Sequence, residues 1–181
     1  MTFSKRQIKA AQAGDEANDF ERLFQENWAR VCAVLFRLVG DWSEAEDLAL
    51  DVFWRLYRRP PRSNRNLSGW LYRVATNLGF NALRSRKRRQ QYEEQAGYET
   101  LEDAPISDPA EVLEQRQTAE RVRSILGQMK PRSARILILR HSGMTYAEIA
   151  EALELAPGSI GTLLARAERE FEDYYEEPDD R

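Results

Sequence analysis

Cysteine and histidine are nearly missing from this 181-residue chain, which has one of each, Cys32 and His141. A zinc site built from thiolates and imidazoles needs about four such ligands, so no metal centre is expected. No cofactor is expected. A single cysteine cannot form an internal disulfide. Cys32 lies in the apolar run "VCAVLF" and reads as a small core residue. That composition fits a reducing compartment, and a cytoplasmic location is expected. His141 stands just before "SGM" at the end of a helical run, where a capping or solvated role fits better than catalysis. Paired carboxylates occur on a periodic helix without a converging partner set, so an enzyme is not expected. No apolar stretch approaches the ~20 residues that cross a bilayer. The start, "MTFSKRQIKAAQAGDE", has no apolar core of a signal peptide. Strand signals are scarce too. "RILILR" is β-prone, but helix punctuation flanks it, so the expectation is all-α.

Charge is plentiful and unevenly placed. The net charge of −3 conceals a partition. Residues 1–19 balance at 3 basic and 3 acidic side chains, residues 20–92 hold 14 basic and 7 acidic, residues 93–116 hold 1 and 8, and residues 117–181 hold 9 and 12. A basic segment followed by an acidic one points the first toward nucleic acid. Helical periodicity also fades over residues 91–111 and resumes at Val112, and residues 93–116 read as a flexible acidic linker. Two small helical domains, 1–92 and 117–181, are expected on either side, the second with an acidic tail.

The helices are legible from apolar spacing. Phe20, Leu23, Phe24, Trp28, Val31, Leu35 and Val39 recur at helical intervals and stop at Gly40. "SEAEDLALDVFWRLY" opens like a capping box of Ser43 and Glu46, with Ala45, Leu48, Ala49, Val52 and Leu56 inward. "RRPPRSNRN" then breaks the pattern as a stiff basic loop. Ser68 is the expected cap of the next helix, with Leu71, Val74, Ala75, Leu78 and Leu83 inward. Its outer face is expected to show Tyr72, Arg73, Thr76, Asn77, Phe80 and Asn81, and it ends in Arg84, Arg86, Lys87, Arg88 and Arg89. Cations neutralise phosphates, rings stack on unpaired bases, and Asn bonds base edges. A solvated helix end would share the charge run.

Further on, Pro131 starts a helix and Gly143 follows its end. Thr145 and Glu148 form a second capping box. Ala150 permits a close crossing, Pro157 pre-sets the following helix, and Ile149, Leu153, Leu155, Ile160 and Leu164 are spaced to pin the pair. Glu154 falls in the turn, where Gly would be easier. This is helix-turn-helix spacing, although an ordinary αα-hairpin shares much of it. Back on the 43–57 helix, Glu44, Asp47 and Asp51 lie along one stripe beside Leu50 and Trp54, a docking face for a basic partner or simply a solvated stripe.

In their order and spacing these segments resemble a bacterial RNA polymerase sigma factor of the extracytoplasmic-function group, over residues 15–175. "GDWSEAEDLALDVFWRLY" is similar to that family's core-polymerase-binding segment. "LSGWLYRVATNLGFNALRSRKRR" is similar to its promoter-melting, minus-ten-reading helix. "MKPRSARILILRHSGMTYAEIAEALELAPGSIGTLLARAE" is similar to its minus-thirty-five-reading domain. The resemblance implies a transcription initiation factor. It implies that Asp47, Leu50, Asp51 and Trp54 meet core polymerase, at the clamp of its largest subunit, with the flap of the second subunit as a further contact. It implies that Arg62, Arg65, Trp70, Arg73, Asn77, Asn81, Arg84, Lys87 and Arg88 serve minus-ten recognition and melting. Trp70 could equally be a core residue. In the second domain it implies Thr145, Tyr146, Ser159, Thr162, Arg166 and Arg169 at DNA. An anti-sigma factor is a further implied partner.

Three departures stand out. Leu50 replaces a common Gln, and Asn81 an Asp. "GSIGTLL" stands for "GTVKSRL", so Gly161 replaces Lys, Leu163 replaces Arg, and Glu168 replaces a basic residue. The second domain is therefore expected to read DNA weakly. The rival readings are a stand-alone helix-turn-helix regulator, or an adaptor whose last domain docks protein through a Leu163/Leu164 face.

Overall fold

The computed structural model describes residues 5–61, 66–95 and 109–176. It is all-α: seven helices and no strand among the described residues. They are α1 (Lys5–Val39), α2 (Trp42–Arg58), α3 (Leu67–Gln95), α4 (Pro109–Gln128), α5 (Pro131–His141), α6 (Tyr146–Leu153) and α7 (Ile160–Glu176). A short 3-10 turn, Pro157–Ser159, precedes α7.

Helices α1, α2 and α3 pack on one another through Val31, Leu35, Leu38, Ala49, Val52 and Leu71, all fully buried. Gly40 ends α1 with φ +78, a conformation that favours a residue without Cβ. The chain leaves that turn extended at Asp41, whose carboxylate accepts from the Glu44 N–H at 2.7 Å. Asp41, not Ser43, is therefore the cap of α2. Both residue types cap well, and the position of the glycine turn decides between them. The same correction holds at α3. The Asn66 side chain accepts from Gly69 N–H at 2.6 Å, and Ser68 lies inside the helix. Close approach of α1 and α3 depends on Gly79, since a Cβ there would come within 2.5 Å of Leu38 Cδ1.

Tyr72, Thr76 and Phe80, expected on the outer face of α3, are buried. α3 is covered twice, by α1 and α2 on one side and by α6 on another. Burial is tolerable because the polar atoms are satisfied. Thr76 Oγ1 donates to the Tyr72 carbonyl at 2.9 Å, and the Tyr72 hydroxyl reaches Asn27 Oδ1 at 3.4 Å. The acidic stretch also differs from expectation. Its last part, residues 109–116, belongs to α4, with Pro109 at the first helical position, where its missing N–H costs nothing.

In the second half, α5 and α7 pack together, and Glu170 of α7 caps α5. Its carboxylate accepts from Lys130 N–H at 2.7 Å and from Ser133 Oγ at 2.8 Å. The capping box of α6 forms as expected. Thr145 N–H donates to Glu148 Oε2 at 2.7 Å, and Glu148 N–H donates to Thr145 Oγ1 at 3.3 Å. The Thr145 N–H, and then its hydroxyl at 2.8 Å, both donate to Oε2 and so hold the Glu148 carboxyl below its ordinary range. Glu154 takes the left-handed turn, φ 55 and ψ 46.

Cys32 is fully buried in the first core, as expected. Burial first, and then the nearby Glu46, push its thiol up to about 11 from 9.0. Two pH units mean roughly a hundredfold smaller thiolate population. In the native chain at pH 8, Cys32 is therefore expected to stay unlabelled by Ellman's reagent and to react only after denaturant is added. Prompt native labelling would contradict this placement.

Candidate nucleic-acid interface

On α3, Arg73, Asn77, Asn81, Arg84 and Arg88 recur at intervals of four or three and share one stripe. Fifteen residues at 1.5 Å each make this stripe about 22 Å long. Asn81, Arg84 and Arg88 are exposed, and Arg73, Asn77 and Lys87 are half-buried. Trp70 is half-buried and packs against the hydrophobic core. Arg62 and Arg65 lie outside the described residues.

Arg86 does something else. Its guanidinium donates to the Val39 carbonyl and to Glu44 Oε2, each at 2.6 Å, and so ties the end of α1 and the start of α2 to α3. Nothing in the charge run distinguishes it from its neighbours. The face next to Arg84 and Lys87 continues into a cleft of about 450 Å³ whose far wall, on α4, carries Arg121 and Arg123. Burial, more than the repulsion of Arg86, holds the Arg123 guanidinium below its usual range. Arg135 on α5 is lowered in the same way, by burial first and then by Arg84.

The helix-turn-helix comprises α6, the left-handed Glu154, the 3-10 turn and α7. Ile149, Ala150, Ile160 and Leu164 are buried at the crossing, and Leu155 N–H closes on the Ala150 carbonyl at 2.8 Å. Thr162, Arg166 and Arg169 are exposed along one stripe of α7, with Ser159 half-buried at its start. The Ser159 hydroxyl donates to the Ala156 carbonyl at 2.7 Å, which leaves its lone pairs to accept. Thr145 is engaged in the capping box, with its hydroxyl 2.8 Å from Glu148 Oε2. Tyr146 is exposed, with the Arg140 guanidinium 5.4 Å from its ring centre. Of the Leu163/Leu164 face expected of an adaptor, Leu164 is buried and Leu163 is half-buried against the core. Gly161 has room for a side chain, since an added Cβ would meet Tyr146 only at an ordinary 3.7 Å.

On α2, Leu50 is 53% and Trp54 56% exposed. Trp54 stacks on Tyr57 at 5.9 Å, and the Arg58 guanidinium lies 5.1 Å from its ring centre. With Phe20, Phe24 and Phe53, the side chains of Leu50, Trp54 and Tyr57 line an open apolar cleft of about 650 Å³. Asp47 is exposed and has no ion-pair partner among the described residues. Asp51 is already held by Arg55 through two bonds, of 3.1 and 2.9 Å. Tyr57 and Arg58 were not singled out from the sequence. The signal for them was present, since 50, 54, 57 and 58 recur at helical spacing.

Two family profiles match the chain in order, Sigma-70 region 2 over residues 23–89 and Sigma-70, region 4 over residues 119–171. The chain is 26% identical to the ECF RNA polymerase sigma factor SigE of Mycolicibacterium smegmatis, over 89% of this chain and 64% of that protein. It is 26% identical to the ECF RNA polymerase sigma factor SigW of Bacillus subtilis, over 90% of this chain and 91% of that protein. Among solved structures, the fold matches CnrH in complex with the cytosolic domain of CnrY at a TM-score of 0.57 and 19% identity, over 93% of this chain and 95% of that one. It also matches the sigma factor RpoE of Bartonella quintana, in complex with the anti-sigma factor NepR, at 0.52 and 21%, over 90% and 99%.

Proposed function

The chain belongs to the sigma-70 family, in its extracytoplasmic-function group, and we propose that it directs core RNA polymerase to specific promoters and starts transcription by reading and melting the minus-ten region. One observation supports this reading. An exposed aromatic and acidic surface on α2 and a basic stripe on α3 lie on one three-helix core, followed in the same chain by a helix-turn-helix. A stand-alone regulator would account for the helix-turn-helix alone.

Residues 1–92 form the polymerase-binding and minus-ten domain, 93–116 the connection, and 117–181 the minus-thirty-five domain. Leu50, Trp54 and Asp47 meet the basic clamp of the largest subunit, with Asp51 arriving already paired. The flap of the second subunit is a contact for the second domain. Arg73, Asn77, Asn81, Arg84, Lys87 and Arg88 follow promoter DNA, with Arg62 and Arg65 in the loop before them. Trp70 acts at the melted junction. Thr145, Tyr146, Ser159, Thr162, Arg166 and Arg169 form the second contact. No step calls for catalysis by this chain, because the polymerase makes the phosphodiester bonds. The protein acts in the cytoplasm, and no described helix is long and apolar enough to cross a membrane. The related structures in complex with NepR and CnrY support an anti-sigma factor as a regulatory partner.

The test is run-off transcription with purified core polymerase and genomic fragments, together with a core pull-down. Failure to bind core would sink the reading.

The two domains share the work unequally. Only Arg166 and Arg169 supply exposed positive charge on the DNA stripe of α7. Each lost phosphate contact flattens the salt slope by about 0.9. Replacing both by Ala is expected to flatten it by up to ~2 while sparing transcription from promoters with a strong minus-ten element. Gly161→Lys is expected to do the reverse, since the position has room and lysine favours a helix by about 1 kcal/mol over glycine. Loss of transcription from every promoter in the Arg166/Arg169 double variant would contradict this division.

A further inference from the structure

The turn of the helix-turn-helix contains a feature that DNA reading does not require. Glu154 is the one non-glycine residue with positive φ among the described residues. A glycine would relax that turn, and the carboxylate does nothing for the α6–α7 crossing. It forms an ion pair instead with Arg73 of α3, at the head of the stripe that follows DNA. Six residues earlier, in the first turn of α6, Glu148 lies 3.7 Å from Arg30 of α1, whose guanidinium is 5.9 Å from the Tyr72 ring centre. The first helix of the helix-turn-helix, α6, is thus laid across α3, Asn77 is half-covered, and the two bridging acids both come from the second domain.

We propose that Glu154 is an internal stand-in for a DNA phosphate, an autoinhibitory latch that closes the second domain over the minus-ten helix while the chain is free. In the closed state Arg73 has a carboxylate where a backbone phosphate would sit. Binding of core polymerase and promoter has to separate the pair before α3 can engage DNA. The latch is weak by construction. Arg73 and Glu154 are 35% and 72% exposed, and exposed pairs shift an equilibrium by only about two- to fivefold. It therefore biases the free chain toward closure without locking it, and salt loosens it. The occlusion half of the proposal rests on the assignment of Arg73 to DNA. The closure half does not.

The experiment uses the full-length chain with Gln25→Cys and Glu172→Cys as labelling sites, both exposed and on different domains; the buried Cys32 stays silent. Inter-label distance is read by electron spin resonance. Affinity for a fluorescent mixed-sequence single-stranded DNA is measured on the same free protein. Glu154→Gly is expected to widen the distance distribution and to raise DNA affinity about two- to fivefold at low salt, with no fall in Tm because the strained turn is relieved. Arg73→Glu combined with Glu154→Arg is expected to restore the short distance. An unchanged distance in Glu154→Gly, or no restoration in the swap, overturns the latch. Wider distances with unchanged DNA affinity overturn the occlusion. Neither result touches core binding by the wild-type chain, on which the proposed function stands or falls separately.

Discussion

Replacing Trp54 by alanine is expected to weaken binding to core polymerase by about 2–4 kcal/mol, some thirty- to several-hundredfold, while Tm hardly moves. The side chain is more than half exposed, so the fold gains little from it. It is nonetheless rigid. Tyr57 stacks on one side, Arg58 stands over the ring, and the cleft beside it is lined by Phe20, Phe24 and Phe53. An aromatic anchor held in place before binding loses little entropy on docking, and such residues dominate interfaces. Asp51→Asn should cost much less, because Arg55 already neutralises that carboxylate and the salt-dependent attraction falls mainly to Asp47. Titration of labelled chain with purified core measures the loss, and a thermal melt checks the fold. A fall in Tm matching the loss of affinity, or an unchanged affinity, would contradict the assignment.

What could be read from the sequence depended on how local the physics was. The Thr145–Glu148 capping box, the turn at Glu154 and the crossing at Ala150 all appear where the residues foretold them, since each is decided within about four residues. The caps at Asp41 and Asn66 were missed by two residues. Ser43 and Ser68 are equally good cap types, and the backbone turn before each helix decides the position. The outer face of α3 failed for a different reason. Hydrophobic periodicity assumes one buried face, and α3 has two, the second supplied by α6 from more than sixty residues away. Tyr72, Thr76 and Phe80 fall under that second cover. Arg86 could not be separated from Arg84 and Arg88 in a run of cations, because its partners, Val39 and Glu44, are tertiary neighbours. Charge composition locates a basic helix, but only packing says which cations are left for DNA.

That distinction sets the second large expected effect. Asn77→Ala and Arg84→Ala should each lower open-complex formation far more than core binding. Both side chains lie on the α3 stripe and away from the Leu50–Trp54 cleft. Asn77 carries a donor and an acceptor that can bond a base edge, so its loss is expected to cost about 1–3 kcal/mol, and to do so unequally among promoters with different minus-ten bases. Arg84 is exposed and reads no sequence. Its loss is expected to weaken all promoters alike and to reduce the salt slope by about 0.9. Arg86→Ala serves as the contrast. Removing it leaves the Val39 carbonyl and Glu44 without their donor, so Tm should fall, and DNA binding should suffer only as far as the fold does. Permanganate footprinting of the melted region, core titration and thermal melts on the three variants separate these roles. Equal losses of core binding and melting in Asn77→Ala would remove α3 from the DNA path. A stable Arg86→Ala protein with a flattened salt slope would instead return Arg86 to the DNA-binding face.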